Sequence, residues 1–385
     1  MISEKILKFS SNIFRQLLYI NYFVLILLCL IFAIGITLLY SAAGGSMEPW
    51  ASKQLIRFIF AILLFFIVSI ISIKFWLGIS YYLYFLSLLL LISVNFIGNT
   101  DLGAQRWISF GFFNIQPSEL IKFTIVLALA KYFHAEKDYN FWSNTKSFII
   151  PMLLISIPAY IVFLQPDLGS SLILLIASFT ILFIIGLSIW FLIFSCILSI
   201  VLAPVVWIYF LYDYQKDRIL TFLDPLRDPL GSGYHIIQSK IALGSGGIFG
   251  KGFLNGSQSH LNFLPEMQTD FIFTLLAEEF GIVGTLLLLF LFIILIIYTM
   301  IISILCKSRF ACFIAIGVSI NFFFYVFINT AMVTGLIPVV GVPLPLVSYG
   351  GTSMICVMFG MGLVSNAYIN RNLIIPRYKD GFLGW

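Results

Sequence analysis

Long apolar blocks separated by short polar breaks dominate the chain. The first such blocks lie near 22–42, 55–73, 76–98 and 147–166. A helix needs about 20 apolar residues to cross the hydrocarbon layer of a membrane, so each block predicts one span. Ser170 to Tyr212 carries no charge over roughly twice that length and must double back, with the turn expected at Gly186-Leu187-Ser188. Phe310 to Asn370 is also uncharged. It is broken by GLIPVVGVPLPLVSYGG, residues 335–351, whose prolines and glycines oppose a continuous helix. Spans are therefore expected near 310–334 and 350–369. The stretch 117–134 and the long block after Asp270 bring the count to about ten. Nothing alternates residue by residue as the strands of a membrane barrel would. The pattern predicts an all-α polytopic membrane protein of about ten transmembrane helices. Residues 1–385 form one membrane domain, with a large loop at about 213–269 between helices 7 and 8.

Composition agrees with that class and adds an orientation. Hydrophobic residues make up 61% of the chain and charged residues 10%, against about 45–50% and 25% in soluble domains. An even number of spans puts both termini on one side. With the termini cytoplasmic, the inner segments hold 12 Lys and Arg against 4 Asp and Glu, and the outer segments hold 9 against 12. That bias fits the positive-inside rule, so the 213–269 loop is expected to be extracytoplasmic. The net charge of +5 is then a topology signal, and no nucleic-acid partner is expected. The first apolar block is longer than the core of a secretory signal and reads as a retained span. The five cysteines lie in or beside apolar spans without a C-x-x-C pair, and the three histidines match no metal-ligand spacing.

Against this apolar background the charged residues stand out. In QPSELIK, Glu119 and Lys122 are three apart on one helix face, where they can pair within or at the edge of the membrane. Arg57 ends the second span, Arg106 and Trp107 sit in GAQRWI, and Asp167 lies in QPDLGSS. All fall on the predicted outer side, as do the four acids of HLNFLPEMQTDFIFTLLAEE, Glu266, Asp270, Glu278 and Glu279. Glu278 is expected to border the same cavity as Asp270, and Glu279 to point away in a structural role. Mixed charge around a lipid-accessible outer cavity suits an amphiphilic, anionic substrate: cations would hold a diphosphate and an acid would handle a proton. GSGGIFGKG fails the P-loop spacing. It reads either as flexible glycine turns or as backbone N–H groups near a phosphate. The neighbouring YHIIQSKIAL is amphipathic and is expected against the membrane surface.

At these residues the sequence resembles the SEDS family (shape, elongation, division and sporulation), and its RodA branch more than the FtsW branch. The resemblance runs from KQLIR through GAQRWI, QPSELIK, QPDLGSS, DPLGSGYHIIQSKIALGSGGIFGKG, LPEMQTDFIFTLLAEEFG and PLPLVSYGGTS. Gln268 stands where the family usually has His. The resemblance implies a SEDS-type enzyme of the bacterial cytoplasmic (inner) membrane, a peptidoglycan glycosyltransferase that polymerises lipid II at its outer face during cell elongation and rod-shape maintenance. It implies Asp270 as the catalytic carboxylate, with Arg57, Trp107, Glu119, Lys122, Asp167, Glu266 and Glu278 toward the substrate. Reaction would invert the anomeric carbon and expel undecaprenyl diphosphate. No cofactor is certain, and a divalent cation, Mg or Mn, could assist the leaving group. The implied partners are lipid II, a class B penicillin-binding protein acting as transpeptidase, and other elongation-complex membrane proteins. A lipid II flippase and a non-catalytic scaffold are the alternatives. A flippase should show inverted repeats and charges near the bilayer midplane, and neither is visible.

Overall fold

The computed structural model describes residues 16–101, 104–109, 114–135, 145–165, 167–228, 232–256 and 267–376. Helices follow the apolar blocks closely. They are α1 (Tyr22–Ala42), α2 (Ala51–Ile70), α3 (Ile73–Ile97), α4 (Pro117–Ala135), α5 (Thr145–Leu164), α6 (Leu168–Ile185) and α7 (Ile189–Tyr209). The short α8 (Asp213–Leu223) and α9 (Ser232–Ser245) follow. The chain ends with α10 (Ile272–Leu305), α11 (Arg309–Val333) and α12 (Gly351–Ile369). Among the described residues, eight helices are long and apolar enough to cross a membrane. The two long helices outside that set are α4, which carries Glu119, Lys122 and Lys131, and α5, whose apolar part runs Ile149–Leu164. The chain is an all-α polytopic membrane protein.

Local chemistry explains the boundaries. Asn21 caps α1 by accepting the Val24 N–H at 3.2 Å. Gly186 ends α6 with φ 128°, and Ser188 opens α7, so the expected turn forms at 186–188. Pro158 inside α5 leaves the Leu154 carbonyl without its helical N–H, and the Tyr84 hydroxyl of α3 donates to that oxygen at 3.0 Å. One element escapes the pattern. Between α3 and α4 lies a small antiparallel sheet of β1 (Asn99–Asp101), β2 (Ala104–Ser109) and β3 (Asn114–Ile115). Strands this short carry too little alternation to register in the sequence.

The most extensive packing is between α2 and α12, α3 and α4, α10 and α11, and α4 and α11. Small residues permit the closest approaches: a Cβ at Gly35 of α1 would lie 2.7 Å from the Leu346 oxygen. The apolar window of α7, by contrast, contains no buried residue among the described ones. The last feature is a break. Over its 34 residues a straight α10 would span about 51 Å, well beyond the roughly 30 Å hydrocarbon core. Gly281 interrupts it with φ 64° and ψ −158°. A half-helix of residues 272–280 therefore stands before the longer apolar segment, with Asp270 just ahead of its first turn.

Candidate functional site

The segment 335–350 between α11 and α12 organises one end of the bundle. Its prolines and glycines prevent a helix, yet Val342, Leu344, Leu346, Val347 and Ser348 are buried. Buried irregular backbone needs partners for its polar groups, and the neighbouring helices supply them. Asn329 of α11 donates to the Val342 carbonyl at 2.7 Å, and Gln54 of α2 to the Ser348 carbonyl at 3.1 Å. The Leu344 N–H reaches the Ser348 hydroxyl at 2.8 Å. That hydroxyl donates to the Thr269 carbonyl at 2.5 Å, and the Tyr349 N–H reaches the Gln268 carbonyl at 2.8 Å. The loop is thus stitched to the residues immediately preceding α10.

Three of the residues singled out in the sequence, Asp270, Arg57 and Asp167, lie at or beside this loop. Asp270 is half-buried, and a Cβ at Gly341 would lie 3.5 Å from its Oδ2. The Arg57 guanidinium lies over the Tyr349 ring, 4.8 Å from the centroid, and a Cβ at Gly351 would sit 3.1 Å from its Nε. Asp167 is buried at the start of α6. Its Oδ1 accepts the Ser170 N–H at 3.2 Å, and its Oδ2 faces Gln116 Nε2 at 3.4 Å and Arg106 Nε at 3.9 Å. The next residue but one, Gly169, abuts the loop, since a Cβ there would lie 2.5 Å from the Val340 oxygen. Trp107 is half-buried on β2 beside Arg106. Glu266 lies outside the described residues.

Two placements differ from the sequence expectation. Glu119 and Lys122 do pair, Nζ to Oε1 at 2.6 Å, but they are only 3% and 1% exposed. They do not line an open cavity. The Tyr325 hydroxyl of α11 donates to Glu119 Oε2 in a short contact, and the Lys122 ammonium lies 4.4 Å from the Tyr325 ring centroid. The pair is a fastener between α4 and α11. Glu278, expected beside Asp270 at a cavity, is fully buried instead and meets Lys251 Nζ at 2.7 Å. Glu279 is buried too, and Ser41 of α1 donates to its Oε1 in a short contact.

Lys251 belongs to GSGGIFGKG, whose role is now visible. A break at Gly281 frees four backbone groups that a continuous helix would pair internally: the carbonyls of Glu278 and Glu279 and the N–H groups of Ile282 and Val283. The glycine segment satisfies all four. Lys251 N–H donates to the Glu278 oxygen at 2.9 Å and Gly252 N–H to the Glu279 oxygen at 3.0 Å. Ile282 and Val283 donate to the Gly247 and Ile248 oxygens at 3.0 and 3.1 Å. Glycine is required by proximity, since a Cβ at Gly246 would lie 1.9 Å from the Ala277 oxygen. The segment is therefore neither a flexible turn nor a phosphate nest, because the Lys251 and Gly252 N–H groups are already engaged. The preceding α9 also departs from expectation: Ile236, Ser239 and Ala242 are buried, and the Ser239 hydroxyl reaches the Val333 carbonyl at 2.8 Å. That face packs on protein, while Ile241 is exposed.

The sequence reading passed over Tyr325, Asn329, Tyr349, Ser348 and Gln54. The first two had a signal: Asn321, Tyr325 and Asn329 recur every four residues along an otherwise apolar α11. Among the described residues, no three His, Cys, Asp or Glu side chains group as a metal site.

Fold and site together define a polytopic helical membrane protein in which Asp270, Arg57 and Asp167 lie at or beside one buried loop between two of its helices. The chain belongs to the FtsW/RodA/SpoVE family of cell cycle proteins, whose family model matches residues 15–373. It is similar to the peptidoglycan glycosyltransferase MrdB of Escherichia coli K12, with 45% identity over 76% of this chain and 78% of that protein. Among solved structures, it is similar to a chain from a peptidoglycan synthase complex that coordinates polymerization and crosslinking (TM-score 0.78, 34% identity, 92% of this chain and 99% of that one). The rod shape determining protein RodA of Thermus thermophilus is also similar (TM-score 0.69, 28% identity, 94% and 98% coverage).

Proposed function

We propose that this chain is a peptidoglycan glycosyltransferase that polymerises lipid II, with Asp270 as its general base. Relatives named for that activity support the reaction class. One observation supports the choice of base. Helices α4, α6 and α10 carry five carboxylates at their outer ends or caps: Glu119, Asp167, Asp270, Glu278 and Glu279. Four are buried and held by Lys122, Arg106, Lys251 and Ser41 respectively, whereas Asp270 is half-exposed.

The chemistry follows from that position. The 4-hydroxyl of one lipid II sugar attacks C1 of the growing strand as the Asp270 carboxylate takes its proton. The C1–O bond to the diphosphate breaks, and undecaprenyl diphosphate leaves with the bonding pair. One base on the attacking side inverts the anomeric carbon, and a positioned base contributes about 10²–10⁴-fold. Arg57 is the cation suited to the diphosphate: it stacks on Tyr349 and forms no ion pair among the described residues. Lys122 is already committed to Glu119.

In this reading the chain crosses the bacterial cytoplasmic (inner) membrane ten times with both termini inside. The 213–269 segment and Asp270 lie on the outer surface. A class B penicillin-binding protein crosslinks the product, in keeping with the synthase complex that the fold resembles. The test is polymerisation of lipid II by the purified chain with such a partner, beside a flipping assay in vesicles. Asp270→Asn keeps the side-chain shape and removes its basicity, so polymerisation should fall at least 100-fold with the protein still folded. Near-normal glycan synthesis by that variant would remove Asp270 as the base, and flipping without polymerisation would favour the transporter.

A further inference from the structure

We infer that the buried polar stripe Asn321, Tyr325 and Asn329 on α11 is the positioning device of Asp270, with Asn329 its acting residue. The inference rests on the reading of Asp270 as the base. Residues four apart along a helix share one face, and this face meets three different things. Asn321 Nδ2 donates to the Lys122 carbonyl at 3.1 Å. The Tyr325 hydroxyl donates to Glu119. Asn329 Nδ2 donates twice, to the Asp270 carbonyl at 3.1 Å and to the Val342 carbonyl at 2.7 Å.

Each of these side chains is 2% exposed or less, in a helix otherwise filled with Phe, Ile and Val. A buried amide without partners is costly in an apolar bundle, so its contacts define its use. Both Asn329 acceptors are main-chain oxygens outside the helices. One belongs to the residue that carries the working carboxylate. The other belongs to the 335–350 loop one residue after Gly341, where a Cβ would already lie 3.5 Å from Asp270 Oδ2. One amide thus sets the gap between Asp270 and the wall of its site. The helix that holds this amide is fixed in turn by the Glu119–Lys122 pair through Tyr325 and Asn321. A charge pair that never meets solvent is accounted for on this basis: it anchors the rail on which the base is mounted.

The test measures polymerisation kinetics and thermal unfolding of the full chain with its partner for four variants: Asn329→Asp, Asn329→Ser, Tyr325→Phe and Asp270→Asn. Asn329→Asp keeps the shape but turns a double donor into a double acceptor against two carbonyls. It should lower kcat about 100-fold, the loss that accompanies a shift of roughly 1 Å in a reacting group, while KM stays within about twofold. Asn329→Ser retains one donor and should fall between wild type and Asn329→Asp. Tyr325→Phe keeps the ring under Lys122, so the fold should survive. Its kcat should drop roughly two- to tenfold at constant KM, the lower range of couplings within a network. If the Asn329 variants fail to fold, the Tyr325→Phe result decides alone. Wild-type kcat in folded Asn329→Asp, or losses confined to KM, would overturn the positioning role. A dead Asp270→Asn beside a fully active Asn329→Asp would sink this inference alone, whereas an active Asp270→Asn would sink the base assignment beneath it.

Discussion

Gly250→Ala is the sharpest probe of how the half-helix is held. A Cβ at Gly250 would sit 2.1 Å from the Glu279 oxygen, 2.3 Å from its carbon and 2.5 Å from the Phe280 nitrogen. Ordinary contact begins at 3.4 Å, so the loop must retreat by about 1.3 Å, enough to stretch both flanking donors, Lys251 N–H and Gly252 N–H, beyond bonding range. Leaving each buried group unpaired costs about 1–3 kcal/mol. Gly250 also has φ 81°, and a Cβ in the left-handed region costs about 1–2 kcal/mol more. The total is about 3 kcal/mol or above. Gly247→Ala is the built-in control: φ is 57°, and nothing lies within 4 Å of its Cβ. It should bear only the conformational cost of about 1–2 kcal/mol. The assay is thermal unfolding of both variants in one detergent, followed by lipid II polymerisation. Gly250→Ala should unfold at a clearly lower temperature than Gly247→Ala and lose most of its polymerisation, because the half-helix that follows Asp270 is displaced. Equal behaviour of the two variants would show that the glycine segment does not hold the break.

Two further substitutions address the buried charges. Lys122→Met leaves Glu119 uncompensated at 3% exposure and should cost about 3–5 kcal/mol of stability, while Glu119→Gln/Lys122→Met should recover most of it in the same thermal assay. A double variant as unstable as the single one would mean that the ion pair itself is not what the site requires. Lys251→Met removes the 2.7 Å ion pair to the buried Glu278. It should lower both the unfolding temperature and kcat with KM little changed, and an unaltered kcat would separate the Lys251–Glu278 pair from the placement of Asp270.

The span pattern was legible because twenty-residue apolar blocks have few alternatives, and a glycine turn at 186–188 inside an uncharged double-length block has one natural position. The charged residues of the candidate site were legible because a charge in so apolar a chain is conspicuous. What could not be read was how those charges are shared out. Glu278 and Asp270 are eight residues apart, and helical geometry alone would let both border one cavity. The helix break places Glu278 against a loop lysine instead. That break is encoded by Gly281 and by glycines some thirty residues earlier, and no local pattern links the two. Asn321, Tyr325 and Asn329 went unread for the opposite reason: uncharged polar residues barely disturb the apolarity of a span, although their four-residue spacing was in plain view.

The crowding of acids ahead of a long apolar helix resolves into separate tasks. On the proposed reading Asp270 must keep a fixed position while two large lipid-linked substrates come and go beside it, and a residue that precedes a helix has little rigidity of its own. Here the half-helix behind Asp270 is gripped on two sides through neighbouring acids: Glu278 by Lys251 of the glycine segment and Glu279 by Ser41 of α1. The chain at Asp270 is gripped on a third by Asn329 of α11, and the two residues before it are bonded to Ser348 and Tyr349 of the loop. The break at Gly281 adds a further hold, since the Glu278 and Glu279 carbonyls and the Ile282 and Val283 N–H groups bond residues 247–252 instead of one another. The half-helix behind Asp270 is thereby fixed to the glycine segment through its main chain as well as through the Glu278 side chain.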